Sequence, residues 1–480
     1  GEQGVFLGEE VVRFAVTSGT TGAGKLIPQP ASRPGILAFR HVLTDSFLAA
    51  NEAFGKPSPL QKYGILYMKP RVGKTKSGHM TTSILYVAPE DQDMMDVVNT
   101  PLAAFQISSD FEATYIQLLF ALRDKNLGVF LAFFTATLFR AMKILDDNWE
   151  TMLDDITKGR VNPKLAISDE IRRSLNAALT PNPRRADELR AEFSKGAVGL
   201  MARIWPRLKY IFAIDVAGFH AKLEHTYTKG VPMFAGSYIS TETTMGFNFS
   251  PGERPPKYVL NLPDSIFEFI HEDDCQDEKP RALLLDEVEV GQNYELVLTT
   301  RGGLYRYRNG DVVGVVGFHG NCPVIQFKYR TGELLSLQRE KVTTVLMQTV
   351  LNELVSQFQG ATLVNWTTAE SPLLTDDKQG GSYDLYYIVF LELENMPESV
   401  DGDTCAQKFD EILRRHHNRY SNKRHDGMLA MAHLHPVKPG SFAKLREFIL
   451  TRSTASVNQF KTPRKLTKRD MLELMMSCVL

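Results

Sequence analysis

The chain has 480 residues, 43% hydrophobic and 10% aromatic, which allows at least two domains with substantial cores and excludes a disordered chain. Lys and Arg total 55 and Asp and Glu 56, so no global field selects nucleic acid, anionic lipid or another polyanion, and any phosphate recognition must be local. The four cysteines, Cys275, Cys322, Cys405 and Cys478, form no Cys-x-x-Cys pair, which argues against a disulfide framework or zinc ribbon and for a reducing compartment.

The first residue is Gly1 rather than Met, so we expect a processed or truncated product whose targeting segment would be missing. Residues 11–16, VVRFAV, are β-branched and apolar, the pattern of a buried strand. They lead into TSGTTGAGKLIPQP, residues 17–30, which reads Gly-x-x-x-x-Gly-Lys from Gly19 to Lys25. A nucleotide-binding P-loop would place Ser or Thr next and begin a helix there; this chain has Leu26. Pro28 and Pro30 fall inside that helix, where a proline costs about 3 kcal/mol. The P-loop reading fails on both counts. What remains is Thr17, Ser18, Thr20 and Thr21 interleaved with Gly19, Gly22 and Gly24 and followed by Lys25. Glycines let N–H groups converge on an anion, hydroxyls add donors, and the ammonium adds charge. A phosphate cradle and a plain surface turn fit this loop equally.

Further along, Ser109 and Glu112 predict a capping box, and Phe111, Tyr115, Leu118, Leu119 and Leu122 recur at helical spacing. The uncharged run 126–139 is too short to span a bilayer and reads as a buried strand entering a helix that Gly159 stops. Strands are expected at 208–215, 294–300 and 311–318. Beyond Arg330 the texture changes to a helix near 340–358, a strand at 383–394, a helix near 404–418 and a basic end, with 376–382 a loop. This predicts a small α+β domain after a large mixed α/β one, with the junction at 330–340.

Three more stretches carry chemistry. In YISTETTMGFN, Glu242 follows Ser240 and Thr241, a carboxylate among hydroxyls suited to holding magnesium against a phosphate, and Tyr238 offers a ring for a base. A hydroxyl-rich turn with one Glu is common, so the stretch alone is weak. In LYRYRNGDVV, Asp311 begins a strand, where a carboxylate can accept two hydrogen bonds from a ribose diol or simply form a turn. In SVNQFKTPRK, Lys461 precedes a Thr-Pro that holds the chain extended; alone it is a solvated charge. RRHHNRYSNKRH, residues 414–425, reads as a solvated helix end rather than an RNA site. His416, His417, His425, His433 and His435 lack the frame of a zinc site.

Taken in order, these elements resemble the Gretchen Hagen family of auxin-responsive acyl-acid amido synthetases, within the adenylate-forming enzymes, over about Val11 to Arg464. NWETMLDDITKG, WPRLKYI, GLYRYRNGDVVGVVGFHGNCP, KPGSFAKLREFIL and ASVNQFKTPR carry the resemblance, and GNCPVIQF is most similar to its animal branch. The resemblance implies a large mixed-sheet adenylate-forming domain, 1–330, with helices packed on its sheets, and a smaller mobile α+β domain, 331–480. It implies ATP and Mg2+ as cofactors and two half reactions: a carboxylic acid becomes an acyl-adenylate with loss of pyrophosphate, then an amino acid amine displaces AMP. Carried over, Thr17, Ser18, Gly19, Thr20, Thr21 and Gly22, with Lys25, match the phosphate loop, and Tyr238, Ser240, Thr241 and Glu242 the second nucleotide motif, Glu242 holding the metal. Asp311 matches the ribose-binding Asp, Arg330 a hinge-side base, Lys461 the catalytic lysine and Lys341 a second lysine beyond the hinge. The chain departs from the family at Gln338, Arg339 and Glu340, where two Asp residues are usual, and it includes little of the segment that precedes the loop elsewhere. The implied partners are small-molecule acids and amino acids, with no nucleic acid and no membrane span, in the cytoplasm; oligomeric state is open. The resemblance also suggests that the 110–124 helix, through Tyr115 and Leu119, walls the acyl pocket. An acyl-CoA ligase sharing the first step, and a non-catalytic nucleotide-binding scaffold, are the rival functions.

Overall fold

The computed structural model describes the chain except residues 1–6, 18–24, 32–35, 87–96, 216–218, 276, 375–383, 396–401 and 453–459, together with the side chains of 36–43 and 402. The run 126–139 does become a strand, Val129–Phe134, entering the helix Thr135–Lys158. That strand lies second in a parallel sheet ordered Tyr63–Leu66, Val129–Phe134, Tyr210–Ile214, Met233–Phe234. Parallel strands are covered on both faces, which is why their sequences are near-continuous apolar runs. One face packs Phe130 against Leu118, Leu119, Leu138, Met142 and Trp205, from the helices Asp110–Arg123 and Thr135–Lys158 and the segment behind them. The other buries Val129, Tyr210, Phe212 and Phe234 against Ala50 of the helix Ile36–Phe54. Burying side chains of this size contributes about 1.5–3 kcal/mol each.

The long helix ends at Gly159, as expected, with φ +62°; a Cβ there would lie 2.4 Å from the Pro181 nitrogen, so the position needs glycine twice over. The predicted capping box does not form. Ser109 is the N-cap, but its hydroxyl bonds the Glu112 carboxylate, whose other oxygen accepts the Ala166 amide at 3.3 Å. Glu112 is drawn to a neighbouring segment the local pattern could not reveal.

After this layer in the chain and before the C-terminal part comes an eight-stranded antiparallel sheet containing Ser237–Ile239 at one edge, Asn293–Thr300, Tyr307–His319 and Cys322–Arg330. It curls enough for Thr243, beside one edge strand, to meet Ser265 near the other side, Oγ to Oγ 2.8 Å. A four-stranded sheet near the start carries the hairpin Val11–Val16 and Leu26–Pro30.

The C-terminal part is a three-stranded sheet, Thr362–Glu370, Tyr387–Glu394 and His433–Val437, covered on both faces. Helices Thr344–Ser356 and Gly402–His416 pack Val350, Leu351, Phe409 and Leu413 against Trp366 and Val389. Helices Ser441–Arg452 and Arg469–Ser477 pack Leu445, Ile449, Leu472 and Met475 against Ile388 and Phe390. The expected 376–382 loop lies outside the described residues. The histidines serve this packing: His433 stacks on Tyr386 at 4.0 Å, and His416 pairs with Glu353 at 2.7 Å.

Contacts change sides over a short stretch. Arg330 still pairs across the central sheet with Asp311, whereas Leu335 is buried in the C-terminal core and bridges Val342. Lys465 Nζ donates to the Leu334 carbonyl at 2.8 Å, and the Ser336 amide donates to Glu370 at 2.7 Å. Residues from 334 onward therefore belong mechanically to the C-terminal body. The turn that follows is built on Glu340, fully buried, which accepts the Leu337 and Gln338 amides at 2.9 and 2.7 Å and the Tyr387 hydroxyl. This is where the chain departs from the pattern of the family it resembles, and a single buried carboxylate organises the loop. Tyr387→Phe strips Glu340 of a donor, and hydrogen bonds to charged groups are worth about 1.5–3 kcal/mol; a thermal or urea melt should show a loss of that size.

Candidate active site

The strand expected to begin at Asp311 starts four residues earlier, at Tyr307, and its register makes Asp311 the partner of Arg330, the last residue of the neighbouring strand, whose Nε donates to Asp311 Oδ1 at 2.6 Å. Gly310, at φ +82°, lets the chain turn into this position; a Cβ there would meet Thr331 Oγ1 at 2.9 Å. Because the sheet curls, Tyr238 on the edge strand reaches the same carboxylate: its hydroxyl donates to Oδ2 at 2.6 Å, and Asn309 Nδ2 donates to that oxygen at 3.3 Å. Asp311 is only 2% exposed. A carboxylate offers about four lone pairs, so three donors leave about one, and a ribose hydroxyl has to share the group. The Tyr238 ring packs against Tyr258 and Phe327, at 5.5 and 6.1 Å between centroids. Burial and the Asp311 charge push its phenol well up, keeping it a donor.

The phosphate-loop residues Ser18, Gly19, Thr20, Thr21 and Gly22 lie outside the described residues, but both flanks are described. Thr17 N donates to the Lys25 carbonyl at 3.0 Å and Lys25 N to Thr17 Oγ1 at 2.8 Å, closing the neck of the hairpin. Lys25 Nζ donates to the Tyr307 hydroxyl at 2.7 Å, which faces Glu242 Oε1 at 3.4 Å. Glu242 and Thr241 occupy the tip of a turn closed by Ser240 N donating to the Thr243 carbonyl at 3.0 Å; the Ser240 hydroxyl also accepts the Thr243 amide, at 3.3 Å. Among the described residues Glu242 has no ion-pair partner, and the Tyr307 hydroxyl is its hydrogen-bonding neighbour. Magnesium usually takes one or two carboxylates and fills its shell with phosphate and water, so this lone carboxylate fits it.

Lys461 arrives from the C-terminal body. Its segment is sewn to the strand Thr362–Glu370: Asn365 Nδ2 donates to Thr462 Oγ1 at 3.2 Å, Thr367 Oγ1 to the Pro463 carbonyl at 2.6 Å, and Thr368 N to the Arg464 carbonyl at 2.9 Å. The ammonium lies 5.7 Å from the ring centroid of Phe134, the last residue of a parallel strand in the other body. Ligands of open α/β sheets bind at such carboxyl ends. Lys461 is solvent-exposed, though protein atoms crowd around its ammonium at the boundary of the two bodies. Burial, then the like charge of Arg330, lowers its pKa, with Asp311 and Glu333 opposing. Arg464 is pushed down to about 10 by burial, opposed by Glu333 and Asp215. Burial raises the Glu333 carboxyl against the pull of Arg330, Lys461 and Arg464. For Arg330, burial is outweighed by Asp311, which holds the guanidinium above its ordinary value.

Lys341 is not at this site. It sits at the Glu340 turn with φ +58°, lining a cleft of about 490 Å3 with Glu272, His417 and Arg419. The buried Glu340 fixes that turn to the C-terminal body, which keeps the two lysines apart in this arrangement. The expected acyl-pocket wall is also corrected. Tyr115 and Leu119 are 1% and 0% exposed, and the Tyr115 hydroxyl donates to Asp155 at 3.0 Å within the core, so these residues hold helices together. Phe134, Tyr307, Asn309, Glu333 and Arg464 join the cluster without having been singled out; Tyr307 and Asn309 stand inside the Asp311 motif, just ahead of that residue, and Arg464 lies three residues beyond Lys461.

With this geometry in place, likeness to known proteins becomes informative. The GH3 family N-terminal domain matches residues 1–233, the central domain 258–330 and the C-terminal domain 346–470. The chain belongs to the GH3 family. It is 33% identical over 79% of its length to an indole-3-acetic acid-amido synthetase, GH3.8, of Oryza sativa subsp. indica, and spans 64% of that protein. It is 30% identical over 86% of its length to a probable indole-3-acetic acid-amido synthetase, GH3.9, of Oryza sativa subsp. japonica, spanning 94% of it. The solved GH3.15 acyl acid amido synthetase superposes with a TM-score of 0.81 at 26% identity, over 99% of this chain and 83% of that one. The GH3 fold here is thus the mixed α/β, two-domain architecture that the resemblance implied. Among the described residues no helix is long and apolar enough to cross a membrane.

The charge balance around Lys461 in this GH3 chain is open to direct measurement. With lysines reductively 13C-methylated, the Lys461 resonance should titrate below the ordinary lysine value of about 10.4. Arg330→Gln removes the like charge and frees Asp311, so both effects move the titration upward.

Proposed function

We propose that this GH3 chain uses ATP and Mg2+ to activate a carboxylic acid as its acyl-adenylate and transfers the acyl group to an amino acid, with residues 1–330 binding the nucleotide and 331–480 supplying Lys461. In the first half reaction a carboxylate oxygen attacks the α-phosphorus and pyrophosphate leaves. In the second, the neutral amine attacks the acyl carbon, AMP leaves and the amine loses its proton. The observation that carries the reading is the convergence of Lys461 from one body and the Asp311–Arg330–Tyr238 group from the other on one cleft at the ends of the parallel strands.

The attacking carboxylate and the α-phosphate are both anionic, so their approach needs a cation between them. At about 4 Å and an effective dielectric near 20, one ammonium supplies about 4 kcal/mol of gross attraction. Lys461 is that cation. Asp311 takes the ribose, Arg330 orients Asp311, and the loop Thr17 to Gly22 with Lys25 cradles the phosphates. Glu242, beside Ser240 and Thr241, holds Mg2+, which when bound neutralises phosphate charge and favours pyrophosphate as a leaving group. Lys341, on the turn beyond the pivot, serves the second half reaction after the smaller body rotates. The names of the relatives make indole-3-acetic acid the first acid to try, and that of a solved neighbour bound to 2,4-DB makes 2,4-DB the second.

Acid-dependent exchange of labelled pyrophosphate into ATP reports the first half reaction alone. Lys461→Ala should cut exchange about a hundredfold to a thousandfold, as loss of most of that attraction requires; equal exchange removes the role. Glu242→Ala should raise the magnesium concentration for half-maximal exchange by about fivefold or more, and an unchanged titration takes the metal from this residue.

A further inference from the structure

Asp110 is the first residue of the helix Asp110–Arg123, where the amino-terminal dipole favours its charge. One of its oxygens, Oδ2, is shared by two guanidiniums: Arg140 of the following helix, 3.4 Å away, and Arg446 of the C-terminal body, 3.1 Å away. The second contact joins residues 336 positions apart across the boundary between the two bodies. Arg446 also lies 5.9 Å from the centroid of the Phe460 ring, and Phe460 is bonded to Lys461. We propose that Asp110 is a positioning residue for Lys461: through Arg446 it latches the smaller body in the orientation that presents Lys461 to Phe134 and the Asp311 cluster.

The chemistry makes the latch releasable. One carboxylate cannot neutralise two guanidiniums, so Arg446 docks against the like charge of Arg140. Burial lowers the Arg140 pKa and Arg446 lowers it further, with Asp110 opposing. All three side chains keep about a third of their surface in water, at 29–35%. Pairs this exposed shift an equilibrium by at most about tenfold. A body that must swing during turnover needs a contact of that order rather than a buried, fully paired one. Arg140 acts as the counterweight, competing for the carboxylate whenever Arg446 is bound.

The inference rests on the proposed function only for what the docked orientation is for, and it is tested without substrate. Spin labels on Lys158→Cys and Lys468→Cys, with the half-buried Cys322 replaced by Ser, report the distance between the bodies by pulsed electron resonance on the full chain. Asp110→Asn and Arg446→Gln should each lower the ratio of docked to undocked populations about threefold to tenfold, and the double variant should fall no further than either single. Arg140→Gln removes the competitor and should raise the ratio, an effect of opposite sign that general damage to the fold cannot mimic. Unchanged distances in the two single variants, additive losses in the double, or a loss in Arg140→Gln overturns the proposal. Absence of ligase activity would overturn the functional reading and leave this test standing.

Discussion

The pairing of Asp311 with Arg330 is the constraint on which the rest of the molecule hangs. A carboxylate this buried is costly unless donors surround it, and Arg330, Tyr238 and Asn309 do so at once. Each donor comes from a different place in the central sheet, so satisfying one charge fixes the strand register, the curl that brings the edge strand round, and the last residue before the chain leaves for the C-terminal body. An Asp311 with fewer donors would loosen all three. The residue proposed to take the ribose and the last residue of the strand that leads to the C-terminal body are the two sides of a single ion pair.

Cations and carboxylates meet in equal number in the cleft between the bodies: Arg330, Lys461 and Arg464 face Asp311, Glu333 and Asp215. Burial and then the like charge of Arg330 lower the Lys461 pKa, whereas Asp311 holds Arg330 above its ordinary value. Where Arg140 and Arg446 share Asp110 the cations are in excess, two to one, at the same boundary.

Sequence reading recovered what short-range pattern determines. The run entering a helix at 135, the stop at Gly159, the strands around 294–300 and 311–318, and the α+β texture after Arg330 all rest on apolar periodicity or on a residue type with one conformational use. The P-loop was rejected on Leu26 and two prolines, and Leu26–Pro30 is indeed a strand. What stayed hidden depended on contacts across the fold. Glu112 was given a local capping role but bonds Ala166, and Tyr115 was placed on a pocket wall but donates to Asp155. Helical spacing says which residues share a face and nothing of what that face meets. Tyr307 and Asn309 stood inside the quoted Asp311 motif without being singled out, because their roles arise only when Lys25, Glu242 and the edge strand converge. Lys341 was legible as a lysine past the hinge, but its separation from Lys461 depends on the buried Glu340.

The clamp of Lys465 and Glu370 on residues 334–336 leaves only Thr331, Gly332 and Glu333 between the two rigid assemblies. Lys465 lies four residues from Lys461, so the strap that fixes the near end of the lever also carries its working tip. Few torsions are therefore available to steer the ammonium, and in the proposed swing it would follow an arc rather than wander. Lengthening the joint by even one residue would lengthen the radius and misaim the tip, whereas insertions in the outer loops of either assembly would leave its path untouched.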